Sequence, residues 1–434
     1  MPDTPTDSPL DSLPLPAIYF ESGKNVYWYE KDDAWIRATE SHALQHLHGL
    51  GVSNVRERGS PYTKAQTVLA AIREKQVICY AGPVAGSEPG VYGLGDERYL
   101  CVGKPTLPNP ESGDWSDIRV LGERLFGPEQ IDYVWSWCKQ AAEGLYLGRR
   151  TFSQALFLAG GAGCGKSFWQ VNVVTPMLGG RVAKPIQYMT GQTTFNSDLI
   201  GAEHLMLEDE NVGRDHPSRR ALGTSIKSFT VNTSQRVHAK GKDAFTINSR
   251  HWITLSVNDE EENLHVLPPL DPSIKDKIIL VHCNEAINTE WPGPNGEVEK
   301  MEARVRGQIG AFVWWLLNDY KIPEAIADHR FGVKGFQNQE LLNRIDVGDQ
   351  EIELLEMIDR HWHQLFVDKK SLTITGHELQ DALFGNPEMG YRAKKLLSWA
   401  NATGTYMGRL AKRCSERVTG NRLCDRVKSW TVRP

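Results

Sequence analysis

Apolar and polar residues alternate in short runs near the start of the chain, which is the pattern of half-buried strands. Three such runs, AIYFE, NVYWYEK and AWIRA, occupy residues 17–38 and are separated by the turn sequences SGKN and DD. A segment with helical spacing, ESHALQHLHGLG, follows them. We therefore predict a small α+β unit over residues 17–110. Residues 1–16 are predicted to be a disordered Pro- and Ser-rich lead, without the basic start and apolar stretch of a signal peptide.

The pattern changes between residues 155 and 283, where apolar runs follow one another with helical or loop segments between them. This order predicts an α/β core with a largely parallel sheet, which we place at residues 151–322. A helix at 299–320 is predicted to close the core, and residues 322–350 are predicted to be a linker.

Helical patterns flank this core on both sides. Before it, two helices near 116–126 and 128–146 are predicted to form a collar or linker over residues 115–150, with Pro128 opening the second helix. After it, residues 350–434 are predicted to form a mostly helical domain. Its predicted helices lie near 351–366, 377–384, 390–401 and 405–418, followed by the segment RLCDRVKSWTV as a β-wing.

Composition and charge narrow the class of protein. The longest apolar run near a helix, AFVWWLL at 311–317, is far shorter than the roughly 18–20 residues that span a bilayer, so no membrane segment is expected. The seven cysteines form no Cys-x-x-Cys pair, which suits reduced thiols in a cytoplasmic protein. The net charge of −5 is uneven, because residues 391–434 carry +9 and the first 390 residues carry −14. This asymmetry favours a basic binding end on an acidic body.

The segment ALFLAGGAGCGKSFW at 155–169 contains a phosphate-binding loop, Gly160-x-x-x-x-Gly165-Lys166-Ser167, between an apolar strand and a helical run. Backbone N–H groups of such a loop and of the helix N-terminus cradle phosphates. Lys166 is expected to reach the β- and γ-phosphates of ATP, and the Ser167 hydroxyl is expected to ligate Mg²⁺. The predicted nucleotide-binding residues are Gly160, Gly161, Ala162, Gly163, Cys164, Gly165, Lys166 and Ser167.

Three acids stand at the end of a second apolar strand, in AEHLMLEDE at 202–210. Ligands of α/β sheets gather at the carboxyl ends of the strands. An ATPase of this kind needs one carboxylate for Mg²⁺ and often another to orient or deprotonate the attacking water. We predict Glu208 and Asp209 for these catalytic and metal-binding roles, because they follow the apolar run directly. Asp209 with Glu210 is the alternative register.

A third apolar strand, in HWITLSVND at 251–259, ends at Asn258. A neutral amide at this place can hydrogen-bond the γ-phosphate or the attacking water without adding negative charge. An Asn at a strand end is also a common turn former. The position of Asn258 after the acidic strand is what favours a catalytic role.

These three elements, at 160–167, 205–209 and 253–258, resemble the compact motif set of superfamily 3 helicases. Those are AAA+-related motors of small DNA viruses, poxvirus-type primase-helicases and the primase-helicase proteins of phages and mobile elements, and the last type is the one that this chain resembles. Their motifs crowd together as here, where Lys166 and Asn258 are 92 residues apart. The resemblance implies an α/β fold with a P-loop AAA+-like ATPase core, a small N-terminal α+β domain and a C-terminal winged-helix-like domain. It also implies a homo-oligomeric ring, a hexamer, that hydrolyses ATP with Mg²⁺ and translocates on single-stranded or forked DNA during replication.

The family has a basic β-hairpin between its second and third motifs that points into the ring channel and grips DNA. Here QRVHAKGKDAFTIN at 235–248 occupies that place as a strand, a Lys-Gly-Lys turn and a strand. Residues 211–250 carry a net charge of +6, and cations of this kind drive phosphate binding through counterion release. We therefore expect Lys240 and Lys242 to bind DNA.

The family also places an arginine just before the strand that follows the third motif, where it reaches the ATP of the neighbouring subunit. The matching residue in LDPSIKDKIILVHC is Lys277. A lysine lacks the planar fork that clamps phosphate. Lys275, Arg219 and Arg220 therefore stay open as alternatives for this trans-acting role.

The C-terminal segment YMGRLAKRCSERV at 406–418 has apolar residues at helical spacing and basic residues off that face. A winged-helix recognition helix has this character, so Arg409, Lys412 and Arg413 are predicted to contact DNA. A solvated basic helix is the alternative. Because no catalytic primase motif is present, priming would need a separate primase or polymerase. The alternative function is an ATP-switched DNA-binding assembly or origin-melting factor, which includes an anti-phage module, that does not translocate.

Overall fold

The structure, a computed structural model, describes residues 15–56, 58–149, 152–208, 216–264, 266–286, 297–360, 362, 371–422 and 428–433. Its strands are β1 Ile18–Glu21, β2 Val26–Lys31, β3 Ala34–Ala38, β4 Val77–Ile78, β5 Tyr80–Gly82, β6 Gly90–Leu94, β7 Glu97–Cys101, β8 Ala155–Gly160, β9 Val182–Ala183, β10 His204–Glu208, β11 Ser234–Val237, β12 Phe245–Asn248, β13 Trp252–Asn258, β14 Ile278–Cys283, β15 Ala327–Asp328, β16 Gly332–Val333, β17 Phe336–Gln337, β18 Leu372–Thr375, β19 Val418–Arg422 and β20 Lys428–Val432. Its α-helices are α1 Glu40–Gly49, α2 Lys64–Lys75, α3 Ser116–Tyr146, α4 Lys166–Trp169, α5 Thr175–Met177, α6 Ile186–Met189, α7 His216–Val231, α8 Glu261–Leu264, α9 Glu297–Gly307, α10 Ile309–Asn318, α11 Gln339–Arg360, α12 Gly376–Gly385, α13 Gly390–Leu396 and α14 Ala402–Arg413. None of the described helices is long and apolar enough to cross a membrane.

The described residues of the N-terminal part form two small sheets and two helices. Strands β1 to β3 form the predicted antiparallel meander, and β4 adds to β1 in parallel, giving the order β3-β2-β1-β4. Helices α1 and α2 bury one face of this sheet, around Tyr27, Leu47 and Ile72. The second sheet has the order β5-β7-β6. The predicted strands and the helix after them are confirmed, whereas the limits of an N-terminal domain stay a prediction.

The central sheet has six strands in the order β17-β14-β8-β13-β10-β9, and all its pairs are parallel. Every residue of β8 is buried, as in a parallel sheet covered on both faces. The predicted α/β core with a parallel sheet is confirmed. Strand β13 lies between β8 and β10, so the third sequence element is inserted between the first two.

Helix α3 covers one face of this sheet. Its two halves meet at Gly127, whose φ of 65° and ψ of 170° are not helical, and Pro128 begins the second half as predicted. Trp135 of α3 packs against Trp169 and against Phe312 of α10, with ring centroids 5.7 and 5.3 Å apart. The two predicted helices therefore share the core of the central sheet, and their role as a collar stays a prediction.

Two predictions about the segment after the sheet are wrong. The helix expected at 299–320 is divided into α9 and α10 at Gln308, whose side chain accepts hydrogen bonds from the backbone N–H groups of Asp117 and Ile118 at the start of α3. Residues 322–350 are not a linker, because β17 pairs with β14 and α11 begins at Gln339. Leu341 of α11 is buried in the core of the sheet.

The C-terminal part is built on the second half of α11. Helices α12 to α14 follow, and β18, β20 and β19 form an antiparallel sheet in that order. Side chains of these elements bury one another, with Trp430 and Tyr406 among the largest. The expected helix at 405–418 is shorter, because α14 ends at Arg413 and residues 418–422 form β19.

Candidate functional site

The predicted phosphate-binding loop lies between β8 and α4 and opens onto a cavity of about 540 Å³. Ligand pockets commonly have volumes of roughly 300–1,000 Å³. A Cβ on Gly160 would stand 2.3 Å from the carbonyl oxygen of Cys283, and Gly165 has a φ of 119°, so both positions need glycine. The cavity is lined by Ala162, Gly163, Cys164, Gly165, Lys166, Ser167, Phe168, Glu208, Ser256, Val257 and Asn258.

The ammonium group of Lys166 is held at the centre of this loop. It donates to the carbonyl oxygens of Gly160 and Gly161 at 2.7 and 2.8 Å, and to Oδ1 of Asn258 at 3.2 Å. The side chain is buried, and an ammonium has three donors. Lys166 therefore reaches a phosphate oxygen only by exchanging one of these partners for it.

Strand register explains why Asn258 stands beside Lys166. In the β13–β8 ladder Asn258 is opposite Gly160, the first glycine of the loop. In the β13–β10 ladder Glu208 is opposite Ser256. The central position of β13 thus brings the predicted amide and the predicted carboxylate to the same edge of the sheet as the loop.

Glu208 lines the cavity and forms an ion pair with Lys184. Lys184 follows β9, the edge strand next to β10, and no local pattern in the sequence indicated its place at the site. Its side chain is 63% exposed, so the pair is accessible to solvent. Asp209 and Glu210 lie outside the described residues, and the register of the acidic pair therefore stays a prediction.

A buried polar network joins the helix after the loop to β10 and β13. Residues 170–174 form a π-helical turn, a feature often found at functional sites. The Gln170 amide donates to Thr254 Oγ1 at 2.7 Å, His204 Nε2 lies 2.7 Å from the same oxygen, and Thr175 Oγ1 lies 2.7 Å from His204 Nδ1. Burial lowers the pKa of His204 to about 3, so its ring is neutral. In the sequence, the signal for this network is the presence of two polar residues, His204 and Thr254, inside otherwise apolar strands.

The four candidates for contact with a neighbouring subunit differ in exposure. Lys277 is buried and donates to the Ser273 carbonyl at 3.0 Å and to Asp276 at 2.7 Å. Arg219 is buried, and its Nε donates to the Leu267 carbonyl at 2.8 Å. Arg220 and Lys275 are exposed. Among the residues that the structure describes, the side chains of Arg220 and Lys275 have no hydrogen-bond or ion-pair partner that would have to be released before they contact another chain.

The predicted hairpin is present as β11 and β12, paired antiparallel. Lys240 and Lys242 lie in its turn and are exposed, and the glycine between them has a φ of 72°. Strand β12 of the hairpin is fixed to the second N-terminal sheet, because Phe245, next to the turn, stacks on Tyr80 with ring centroids 5.6 Å apart. The backbone N–H of Asn248 also donates to the hydroxyl of Tyr99 at 3.1 Å. The lysines are therefore presented by a hairpin in which β12 is anchored at both of its ends.

The predicted DNA-binding residues of α14 differ in their surroundings. Arg409 Nε lies 3.9 Å from a carboxylate oxygen of Glu351, which is buried. Lys412 is exposed. The side chain of Arg413 lies outside the described residues, so its contacts stay a prediction.

Comparison with known proteins gives the fold. Residues 158–271 match a family of unknown function, DUF5906, and no curated protein matches the chain. Two structures of the NrS-1 C-terminal region have TM-scores of 0.51 and 0.53 with 13% and 11% sequence identity, covering 96% of both chains in each case. The chain shares their fold. The match to a JCV helicase structure covers 58% of this chain and 66% of the helicase chain, with 11% sequence identity. Its TM-score of 0.30 is too low to establish a common fold.

Proposed function

We propose that this protein is a Mg²⁺-dependent ATPase and DNA helicase of the superfamily 3 type. The observation that carries the proposal is the convergence of Lys166, Glu208 and Asn258 from three adjacent parallel strands on one cavity. A phosphate-binding loop alone serves many enzymes. A carboxylate and an amide facing the same cavity add the groups that a nucleotide hydrolase needs for metal binding and water positioning.

The residues of the cavity fit ATP and Mg²⁺. Backbone N–H groups of the loop would bind the phosphates, and Lys166 would contact the β- and γ-phosphates. Ser167 and Glu208 supply hydroxyl and carboxylate oxygens, the donors that Mg²⁺ prefers. A bound Mg²⁺ would neutralise charge that develops on the phosphates. Asn258, which accepts from Lys166, would turn its amide toward the γ-phosphate or the attacking water, and the second predicted carboxylate, Asp209, would deprotonate that water.

Coupling to DNA would use the hairpin and a ring. In a hexamer, Lys240 and Lys242 would face the channel and hold phosphates of single-stranded DNA, consistent with their exposure. Of the four candidates for the trans-acting cation, Arg220 and Lys275 are the exposed pair. Arg220 is the stronger choice because its guanidinium can contact phosphate in bidentate fashion.

A second candidate is a DNA-binding assembly or origin-melting factor that ATP switches without translocation. The anchoring of Phe245 on Tyr80 and of Asn248 on Tyr99 favours it, since the hairpin can then move only together with the N-terminal sheet. Both candidates need the same nucleotide site. They differ in whether ATP hydrolysis moves the protein along DNA.

The deciding experiment is strand displacement on a forked duplex with ATP and Mg²⁺. A helicase separates the strands, and the Lys166→Ala variant does not. The alternative factor shows ATP-dependent binding of the fork with no displaced strand. An absence of both ATP hydrolysis and ATP-dependent DNA binding would refute the two candidates together.

A further inference from the structure

Helix α13 of the C-terminal part carries exposed aromatic and basic side chains that neither the nucleotide site nor the hairpin uses. Ala393 and Leu397 face the C-terminal core and are buried. Tyr391 is 88% exposed, and Lys394 and Lys395 are also exposed. Residues three and four positions apart lie on the same side of a helix. Lys394 and Lys395 therefore lie on the same side of the helix as Tyr391, and the Lys394 ammonium is 5.9 Å from the ring centroid of Phe384.

A second aromatic side chain, Trp399, lies just after α13 and is 47% exposed. Its ring packs edge-on against Tyr406, with centroids 5.9 Å apart and an interplanar angle of 90°. Its indole N–H donates to the Tyr406 hydroxyl at 3.3 Å, and that hydroxyl donates in turn to Gln350. Trp399 is thus held in one orientation although half of it is open to solvent, so stacking on it would cost little conformational entropy.

Of the three basic residues of α13, Arg392 pairs with Glu353, and the charges of Lys394 and Lys395 are available to a ligand. Within the described part of the chain, no carboxylate oxygen lies within 4.0 Å of the ammonium groups of Lys394 and Lys395. On α14, by contrast, Arg409 lies near Glu351. Both lysines belong to the terminal segment of 44 residues that carries a net charge of +9. An anionic partner would meet uncompensated positive charge on α13.

We propose that Tyr391, Lys394, Lys395 and Trp399, here called the α13 surface, bind single-stranded DNA. Exposed aromatic rings stack on bases of any sequence, and neighbouring lysines neutralise the phosphates between them. A duplex keeps the faces of its bases inside its own stack, so this surface distinguishes single strands from duplex. The choice of DNA rests on the proposed function, but binding at the α13 surface does not require ATP hydrolysis.

The test measures binding of the full-length protein to a fluorescein-labelled oligothymidine, without nucleotide, by fluorescence anisotropy over a range of salt concentrations. Tyr391→Ala should weaken binding about tenfold, and Tyr391→Phe should bind like wild type because the phenyl ring still stacks. The Lys394→Ala/Lys395→Ala variant should lower the log–log salt slope by about 1.4, at about 0.7 per phosphate contact. The matched control is Tyr62→Ala, since Tyr62 is an exposed tyrosine of the N-terminal part.

Photocrosslinking gives a direct readout of the contact. An oligonucleotide carrying 5-bromodeoxyuridine should crosslink to a peptide that contains Tyr391 or Trp399. Wild-type affinity of Tyr391→Ala for oligothymidine, with no crosslink in this peptide, would overturn the proposal and leave the surface to a protein partner. If neither the wild-type protein nor any variant hydrolyses ATP, but Tyr391→Ala still binds oligothymidine more weakly than wild type, the proposed function is refuted. The proposal that the α13 surface binds single-stranded DNA is then still supported.

Discussion

Two buried histidines, His204 in β10 and His251 just before β13, tie the stability of the protein to pH. His204 lies between Thr175 and Thr254, and His251 Nδ1 lies 2.7 Å from the carbonyl oxygen of Ala202. Burial lowers the pKa of His204 from 6.5 to about 3 and that of His251 from 6.5 to about 4. The same side chains take up protons in the unfolded chain near pH 6.5. Both rings therefore stay neutral in the folded protein at pH values where the unfolded chain is already protonated.

The sign of the effect follows from these values. Because the folded pKa values lie below the unfolded value, the unfolded chain binds protons first, and the free energy of unfolding falls as the pH drops below about 6.5. Each histidine should remove about 0.8 kcal/mol at pH 6 and about 2 kcal/mol at pH 5. Together they should remove about 4 kcal/mol at pH 5, a large share of the roughly 5–15 kcal/mol that stabilises a typical domain.

The assay is urea unfolding followed by circular dichroism between pH 8 and pH 5. His204→Gln keeps polar groups in the network but does not titrate, so it should lose about 2 kcal/mol less than wild type between these pH values. His329→Gln is the control, because the His329 side chain is 97% exposed. The reasoning is refuted if wild type and His204→Gln lose the same stability over this interval.

Four further predictions concern the proposed activity. Lys166→Ala should abolish ATP hydrolysis with an unchanged circular dichroism spectrum; normal turnover would show that the site is wrongly assigned. Lys240→Ala/Lys242→Ala should retain basal ATP hydrolysis but lose stimulation by DNA and strand unwinding. The log–log salt slope of its single-strand binding should be lower by about 1.4. If this variant unwinds DNA as well as wild type, the hairpin does not take part in unwinding. Arg220→Ala should inhibit ATP hydrolysis by wild-type subunits in mixed assemblies, whereas Lys277→Ala should mainly reduce the stability of the fold. If only Lys277→Ala inhibits the wild-type subunits, Lys277 and not Arg220 is the trans-acting cation. Mass photometry with ATP and DNA should show hexamers, and monomers alone under these conditions would contradict a ring.

Local sequence patterns were enough to predict the parallel sheet, the two halves of α3 and the existence of the hairpin. Apolar runs mark buried strands because each residue of such a strand faces a covered side of the sheet. Pro128 marks a helix start because proline lacks the N–H that an interior helical position would need. The order of the loop, the acidic strand and the strand ending at Asn258 also indicated one nucleotide site. These features depend on residues that are close together in the chain.

Tertiary structure alone decided which of those elements are neighbours. Strand β13 lies between β8 and β10, and this order places Asn258 within 3.2 Å of Lys166. Burial of Lys277, the ion pair of Glu208 with Lys184 and the addition of β17 to the sheet also depend on long-range register. A two-residue strand has too little periodicity to be recognised locally, and the partner of a charged side chain is set by packing between segments far apart in sequence.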